Sequence, residues 1–171
     1  NMMQKRDGAT LFSASDLVNF MGCAHATVLD IRQLTDPVEL PGDDEHTRLL
    51  QEKGLEHEYA YLERLRAEGR SISEIVGTDD IHAKSERTRA ALREGADVIY
   101  QGAFLESPWQ GYSDFLLKVD RPSALGAFSY EVADTKLSRS AKPKHLIQMC
   151  VYSDILAREQ GVAPEKIHVV L

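Results

Sequence analysis

The chain has 171 residues, enough for one domain that buries a core without disulfide support. Its formal net charge of −7 counts against a module that binds nucleic acid by charge alone, because such modules are usually basic. No apolar run reaches the roughly 18 residues of a membrane span, and the first residues lack the apolar segment of a signal peptide. Cys23 and Cys150 are too far apart in sequence to indicate a disulfide framework, so we expect a reduced, cytoplasmic protein without membrane contact.

Helical patterns predominate in residues 1–95. Ser13, with Asp16 three residues later, precedes an apolar run, and this arrangement is typical of a capping box that opens a helix. Residues 35–44 contain two prolines, one glycine and four acids, a composition that indicates a loop.

Two longer helices are predicted after that loop. Over residues 45–68 leucines recur at helical spacing, with a break expected at Gly54 and a stop at Gly69. An amphipathic helix over residues 81–93 follows and ends at Gly95.

Strand patterns take over in residues 96–171. Ser107-Pro108 separates two apolar strands, which predicts an antiparallel hairpin. Pro143 opens a helix that is closed by Gly161 and links the third strand to the fourth, as in a βαβ unit. The four predicted strands are residues 98–105, 111–119, 128–137 and 167–171, and the linking helix is residues 143–160.

Taken together, these elements predict a single α/β domain over residues 1–171. It has a mainly helical part, residues 1–95, and an αβ core, residues 96–171, with a small mixed sheet flanked by helices. Because the sequence ends on an apolar strand, we also expect it to be a fragment of a longer protein.

Charged residues interrupt two of the apolar strands. Side chains alternate along a strand, so Val132, Asp134 and Lys136 share one face. Asp114 interrupts the preceding strand, and the two carboxylates converge if the strands are neighbours. Two such carboxylates repel unless one takes a proton or a cation lies between them. Mg²⁺ or Mn²⁺ suits an oxygen-rich site, but the same spacing is also compatible with a buried structural ion pair.

Four motifs follow one another in this chain. They are Gly54-Leu55-Glu56-His57-Glu58, Gly111-x-x-Asp114, Asp134-Thr135-Lys136 and Gln148-x-x-x-Tyr152. Their order and spacing resemble the PD-(D/E)xK nuclease superfamily, and in particular its RecB-like branch, which is related to the CRISPR adaptation nucleases. Residues 20–25 also resemble the start of such domains. The resemblance implies a restriction-endonuclease-like core.

The resemblance also implies roles for individual residues. His57, Asp114 and Asp134 would bind Mg²⁺ or Mn²⁺ with help from the Thr135 carbonyl, and Lys136 would be the catalytic lysine. Gln148 and Tyr152 lie four residues apart on a helix, so both would turn toward the site to contact DNA or support the lysine.

Basic residues just after the lysine strand form a further candidate surface. Arg139, Lys142 and Lys144 can contact DNA phosphates, although a solvated loop explains them equally well.

Two features depart from the family pattern. Asp134 stands where many relatives have glutamate. Several relatives hold a [4Fe–4S] cluster on four cysteines, whereas only Cys23 has a matching position here, since Cys150 lies inside the helix motif. We therefore expect no Fe–S cluster in this chain.

The expected function is metal-dependent hydrolysis of DNA phosphodiester bonds. An exonuclease is favoured over an endonuclease, with single-stranded DNA or DNA ends as substrate, in repair, recombination or defence. No Walker loop is present in the sequence, so a helicase activity would belong to a partner or to domains beyond residue 171. Two alternatives remain: a degenerate nuclease fold that only binds nucleic acid or protein, and a structural or adaptor domain.

Overall fold

A computed structural model describes residues 3–39, 41–42 and 44–171. Two residues of the predicted loop, Leu40 and Asp43, lie outside that part. The described residues form five helices: α1 (Ala14–Gly22), α2 (Ala24–Gln33), α3 (Glu45–Ala67), α4 (Ile81–Glu94) and α5 (Pro143–Gln160). They also form seven strands: β1 (Gln4–Arg6), β2 (Ala9–Leu11), β3 (Ile72–Glu74), β4 (Val98–Glu106), β5 (Trp109–Val119), β6 (Ser129–Thr135) and β7 (Ile167–Val170).

The main sheet is mixed, as predicted, and has the order β3-β4-β5-β6-β7. The hairpin of β4 and β5 turns at Ser107-Pro108, since Glu106 pairs with Trp109. β6 joins it antiparallel, and β7 lies parallel beside β6 after the crossover helix α5, which confirms the βαβ unit. β1 and β2 form a separate small hairpin.

The N-terminal half is less purely helical than predicted. It contributes β3, which pairs parallel with β4 and so joins both halves of the chain in one sheet. The three-residue strands were missed because they are too short to show alternation. α2 was missed because none of its residues is buried and its apolar residues mark no core-facing stripe.

The helix ends follow the sequence signals closely. Ser13 caps α1 in a reciprocal capping box with Asp16, which confirms that prediction. Gly95 closes α4 in the left-handed conformation. The break expected at Gly54 is wrong, since α3 continues through it from Glu45 to Ala67. A glycine costs a helix only about 1 kcal/mol relative to alanine, which a helix of this length tolerates.

Apolar side chains pack on both faces of the sheet. On one face, Tyr61, Leu62 and Leu65 of α3 pack against Phe115 and Ala133. On the other face, α1, α4 and α5 cover a second cluster that includes Leu116 and Val132. Asp114 and Asp134 lie two residues from Leu116 and Val132, so strand alternation puts them on the α5 face. In the described part of the chain, no helix is both long and apolar enough to cross a membrane.

Candidate active site

The register of β5 and β6 brings two carboxylates together. Phe115 pairs with Ala133, so the next antiparallel step sets Asp114 opposite Asp134. Thr135 fixes the position of the first carboxylate. Its backbone N–H and its hydroxyl lie 3.2 Å and 3.4 Å from Asp114 Oδ2 and donate to it. Asp134 is only 5 % exposed, and Asp114 is partly buried.

Burial and charge act together on Asp114. Desolvation first, and then the neighbouring Asp134 carboxylate, raise the pKa of Asp114 to about 7. The Lys136 ammonium and the Thr135 N–H oppose this rise. Two carboxylates so close and largely shielded from water cannot both be charged without cost, and a shared proton or a cation removes that cost.

Lys136 contacts Asp134 from the same face. Its Nζ lies 2.6 Å from Asp134 Oδ2. The contact is an ion pair without hydrogen-bond geometry, since Oδ2 is a buried atom that has no hydrogen-bond partner among the described residues. A buried carboxylate oxygen that is attracted to a cation but not hydrogen-bonded retains lone pairs for another positive group.

Helix α3 brings Glu58 to this site. Glu58, Asp114, Thr135 and Lys136 line one opening of about 570 Å³, which we call the carboxylate cleft. Glu58 is 8 % exposed. Burial, followed by the charge of Asp114, raises the pKa of Glu58.

His57 takes a different direction from its neighbour Glu58. Its Nε2 lies 3.4 Å from the carbonyl oxygen of Val170 on β7, and it does not line the carboxylate cleft. Among residues 3–39, 41–42 and 44–171, no three His, Cys, Asp or Glu side chains form a group that could hold a metal ion. The expected trio of His57, Asp114 and Asp134 is therefore not assembled.

Helical periodicity explains why Glu58 and not His57 turns inward. Glu58 lies three, four and seven residues before Tyr61, Leu62 and Leu65, which are the buried face of α3. One residue along a helix rotates the side chain by about 100°. The apolar stripe of α3 was thus a signal that could have found Glu58 from sequence.

Gln101 holds Glu58 from β4. Its Nε2 donates a 2.5 Å hydrogen bond to Glu58 Oε1, and the nearby Tyr100 hydroxyl opposes the rise in the pKa of Glu58. Gln101 has a φ of 56°, a left-handed conformation in the middle of a strand. It lies opposite Asp114, since Tyr100 pairs with Phe115 and Gly102 with Ser113. Nothing in the sequence marks this residue.

Gln148 and Tyr152 approach the carboxylates from α5. The Tyr152 ring is buried, and its hydroxyl interacts with the Gln148 side chain and the Tyr112 backbone. Burial, and then the charge of Asp114, raise the pKa of Tyr152 to about 12. Gly111 makes room for this ring, because a Cβ there would lie 2.6 Å from Tyr152 Oη. This close approach explains why a residue without a Cβ is required at the glycine of Gly111-x-x-Asp114.

Of the three basic residues predicted to contact phosphates, one lines a cavity next to Lys136. Lys144 lies there with Lys136 and Gln148. Arg139 and Lys142 are exposed, and neither forms an ion pair with any described residue. Both cysteines are free and exposed.

Comparisons with protein-family models, curated proteins and solved structures gave no match for this chain. Its function is consequently inferred from the geometry of the site and from the motifs in the sequence.

Proposed function

We propose that the chain is a metal-dependent DNA nuclease with a restriction-endonuclease-like core of the RecB type. The observation that carries the proposal is the convergence of Asp114 and Asp134 with Lys136 paired to the second carboxylate. The order of the elements supports it, since the motifs follow one another on helix α3, strands β5 and β6 and helix α5.

The residues present fit a hard divalent cation. Asp114, Asp134 and the Thr135 carbonyl offer only oxygen, as Mg²⁺ and Mn²⁺ prefer. Asp134 Oδ2 is buried without a hydrogen bond, and the negative charge of Asp134, which after burial helps to raise the pKa of Asp114, would also attract a cation. Mg²⁺ is usually held by one or two carboxylates, with waters and substrate phosphate completing its shell, so a three-residue cluster is not required.

A bound metal would polarise a phosphoryl oxygen and lower the pKa of a water molecule. The protein's own groups do the remaining work. Lys136 Nζ, a fixed positive charge beside Asp134, stabilises negative charge that develops on the phosphate as the water oxygen bonds to phosphorus. Thr135 holds Asp114 in place, and Gln101 holds Glu58 at the rim. The attacking water releases a proton to solvent, the bond from phosphorus to the leaving oxygen breaks, and that oxygen takes a proton from solvent.

Single-stranded DNA or DNA ends are the proposed substrates, with exonuclease action and a role in cytoplasmic repair, recombination or defence. A partner helicase is part of the same proposal.

One observation favours the alternative of a degenerate fold that binds without cutting. No group of three metal-ligating side chains is found in the described part of the chain. A cleavage assay on labelled single-stranded and duplex DNA with Mn²⁺ separates the two. The nuclease proposal expects cleavage by the wild type, none by Asp134→Asn, and full activity of the exposed control Asp120→Asn. Binding of DNA without cleavage, with Mn²⁺ affinity unchanged in Asp134→Asn, would overturn it in favour of the alternative.

A further inference from the structure

A second cavity adjoins the carboxylate cleft, on the other side of Lys136. It measures about 300 Å³ and lies between α1 and α5, and we call it the α1–α5 pocket. Its polar lining consists of Ser15, Asn19, Lys136, Lys144, His145 and Gln148. All six carry hydrogen-bond donors, and none is a carboxylate.

His145 is the buried polar group of this pocket, at 7 % exposed. Its Nδ1 accepts a 3.4 Å hydrogen bond from the backbone N–H of Lys142. The neutral ring therefore carries its proton on Nε2, which has no hydrogen-bond partner among the described residues. Burial, and then the charges of Lys136, Lys144 and Lys142, lower the pKa of His145. At neutral pH the ring is an uncharged donor surrounded by cations.

One positive charge of the pocket, that of Lys144, has no acidic partner among the described residues, whereas Lys136 is paired with Asp134. The start of α5 adds the positive end of a helix dipole. In a chain with a net charge of −7, these features make a local site for an anion.

We propose that the α1–α5 pocket binds a phosphate group of a nucleic acid, next to the phosphate that is cut in the carboxylate cleft. Lys136 separates the two cavities, so one strand can place neighbouring phosphates on either side of it. We choose phosphate as the ligand because several hydrogen-bond donors, two of them on lysines, line the same pocket. A tetrahedral anion has enough oxygens to accept hydrogen bonds from all of them together. The inference rests on the proposed function in taking nucleic acid as the ligand and in placing the pocket beside the phosphate that is cut.

Binding without metal tests the pocket separately from hydrolysis. Fluorescence anisotropy in EDTA would compare single-stranded oligonucleotides with a 5′-phosphate, a 3′-phosphate or neither. We expect Lys144→Gln to weaken binding about threefold to tenfold, as for removal of one exposed charge from a binding surface. It should also lower the slope of log K against log salt by about 0.7, the value for one phosphate of a single strand that is no longer neutralised. Lys144→Arg should restore most of the binding.

Two further measurements complete the test. Lys166→Gln removes another exposed lysine, outside the pocket, and should leave binding and slope unchanged. Inorganic phosphate should shift the NMR signal of the His145 ring in the wild type, and shift it less in Lys144→Gln. A loss of affinity confined to one phosphorylated end identifies a terminal phosphate, and an equal loss for all three oligonucleotides identifies an internal one.

The inference is overturned if Lys144→Gln binds every oligonucleotide as Lys166→Gln does and phosphate leaves the His145 signal unmoved. Binding that depends on Lys144, in a protein that never cleaves with Mn²⁺, would uphold the pocket and refute the nuclease. Cleavage by a protein whose DNA binding does not depend on Lys144 would uphold the nuclease and refute the pocket.

Discussion

Gln101 Nε2 donates a 2.5 Å hydrogen bond to Glu58 Oε1, which ties β4 to α3 at the rim of the carboxylate cleft. The Gln101 backbone is left-handed, with a φ of 56°, at the position opposite Asp114. This conformation costs a non-glycine residue roughly 1–2 kcal/mol. The strain is thus located where the proposed chemistry takes place, as often happens at functional sites.

Replacing Gln101 separates the effect of its backbone from that of its side chain. Both Gln101→Gly and Gln101→Ala remove the hydrogen bond to Glu58, but only glycine relieves the left-handed conformation. We expect the glycine variant to have a free energy of unfolding about 1 kcal/mol higher than the alanine variant, measured by urea denaturation. Equal stability, or a more stable alanine variant, would show that the backbone there is not strained.

Gly111→Ala is expected to destabilise the fold by about 1–3 kcal/mol, because the new methyl group would overlap Tyr152. The ideal Cβ would lie 2.6 Å from Tyr152 Oη and 3.0 Å from Cε1. In a double-mutant cycle, Tyr152→Phe should recover part of the stability, since it removes the closest atom.

Gly54→Ala is the matched control for that cycle. No atom lies within 4 Å of its Cβ position, and the residue is in the middle of α3. This substitution should stabilise the protein by about 0.5–1 kcal/mol. If Gly111→Ala behaved in the same way, the close approach of Tyr152 would not be real.

The raised pKa of Asp114 makes stability depend on pH. Its carboxyl has a pKa of about 7 when folded, against about 3.9 in the unfolded chain. Between these values the folded state binds more protons, so stability falls as pH rises from about 4 to 7. Asp114→Asn removes this dependence. Urea denaturation in EDTA at pH 5 and pH 8 should show the variant gaining on the order of 1–3 kcal/mol relative to wild type.

Glu58 also has a raised pKa and adds to the same trend; because the charge of Asp114 contributes to that rise, Asp114→Asn also reduces the part of the trend that comes from Glu58. The pKa of Asp97 is lowered to about 2, chiefly by Lys118, so its contribution to stability is lost only well below pH 5. A difference between variant and wild type that stays constant from pH 5 to pH 8 would contradict the raised pKa.

Metal binding should appear as added stability. If Mn²⁺ binds only the folded state, a concentration of 100 times its Kd raises the free energy of unfolding by about 2.7 kcal/mol. We expect this gain in the wild type and in Asp120→Asn, and its absence in Asp134→Asn. An equal gain in all three proteins would place the ion elsewhere.

Sequence patterns located most of the elements that carry the site. The strand patterns of β5 and β6 each contained one carboxylate, but the sequence predicted that Asp114 and Asp134 meet only if the two strands are neighbours, and the register of Phe115 with Ala133 shows that they are. The helix after Pro143 likewise placed Gln148 and Tyr152 on one face, four residues apart.

Other parts of the site depend on tertiary structure. The motif resemblance pointed to His57, but the packing of Tyr61 and Leu62 on the sheet turns Glu58 toward the cleft instead. The left-handed Gln101 has no local signature, since it is held by its neighbours and not by its own preference. His145 belongs to a pocket only because α1 packs against α5.

The proposed nuclease is tested most directly by separating metal binding from cleavage at Lys136. Lys136→Gln leaves Asp114 and Asp134 in place and removes the ammonium that lies 2.6 Å from Asp134 Oδ2. We predict that wild type with Mn²⁺ cleaves end-labelled single-stranded DNA, while Lys136→Gln binds Mn²⁺ but cleaves at least about a hundredfold more slowly. A wild type that cleaves neither single-stranded nor duplex DNA with Mn²⁺ or Mg²⁺, or a variant that cleaves as fast as wild type, would contradict the proposal.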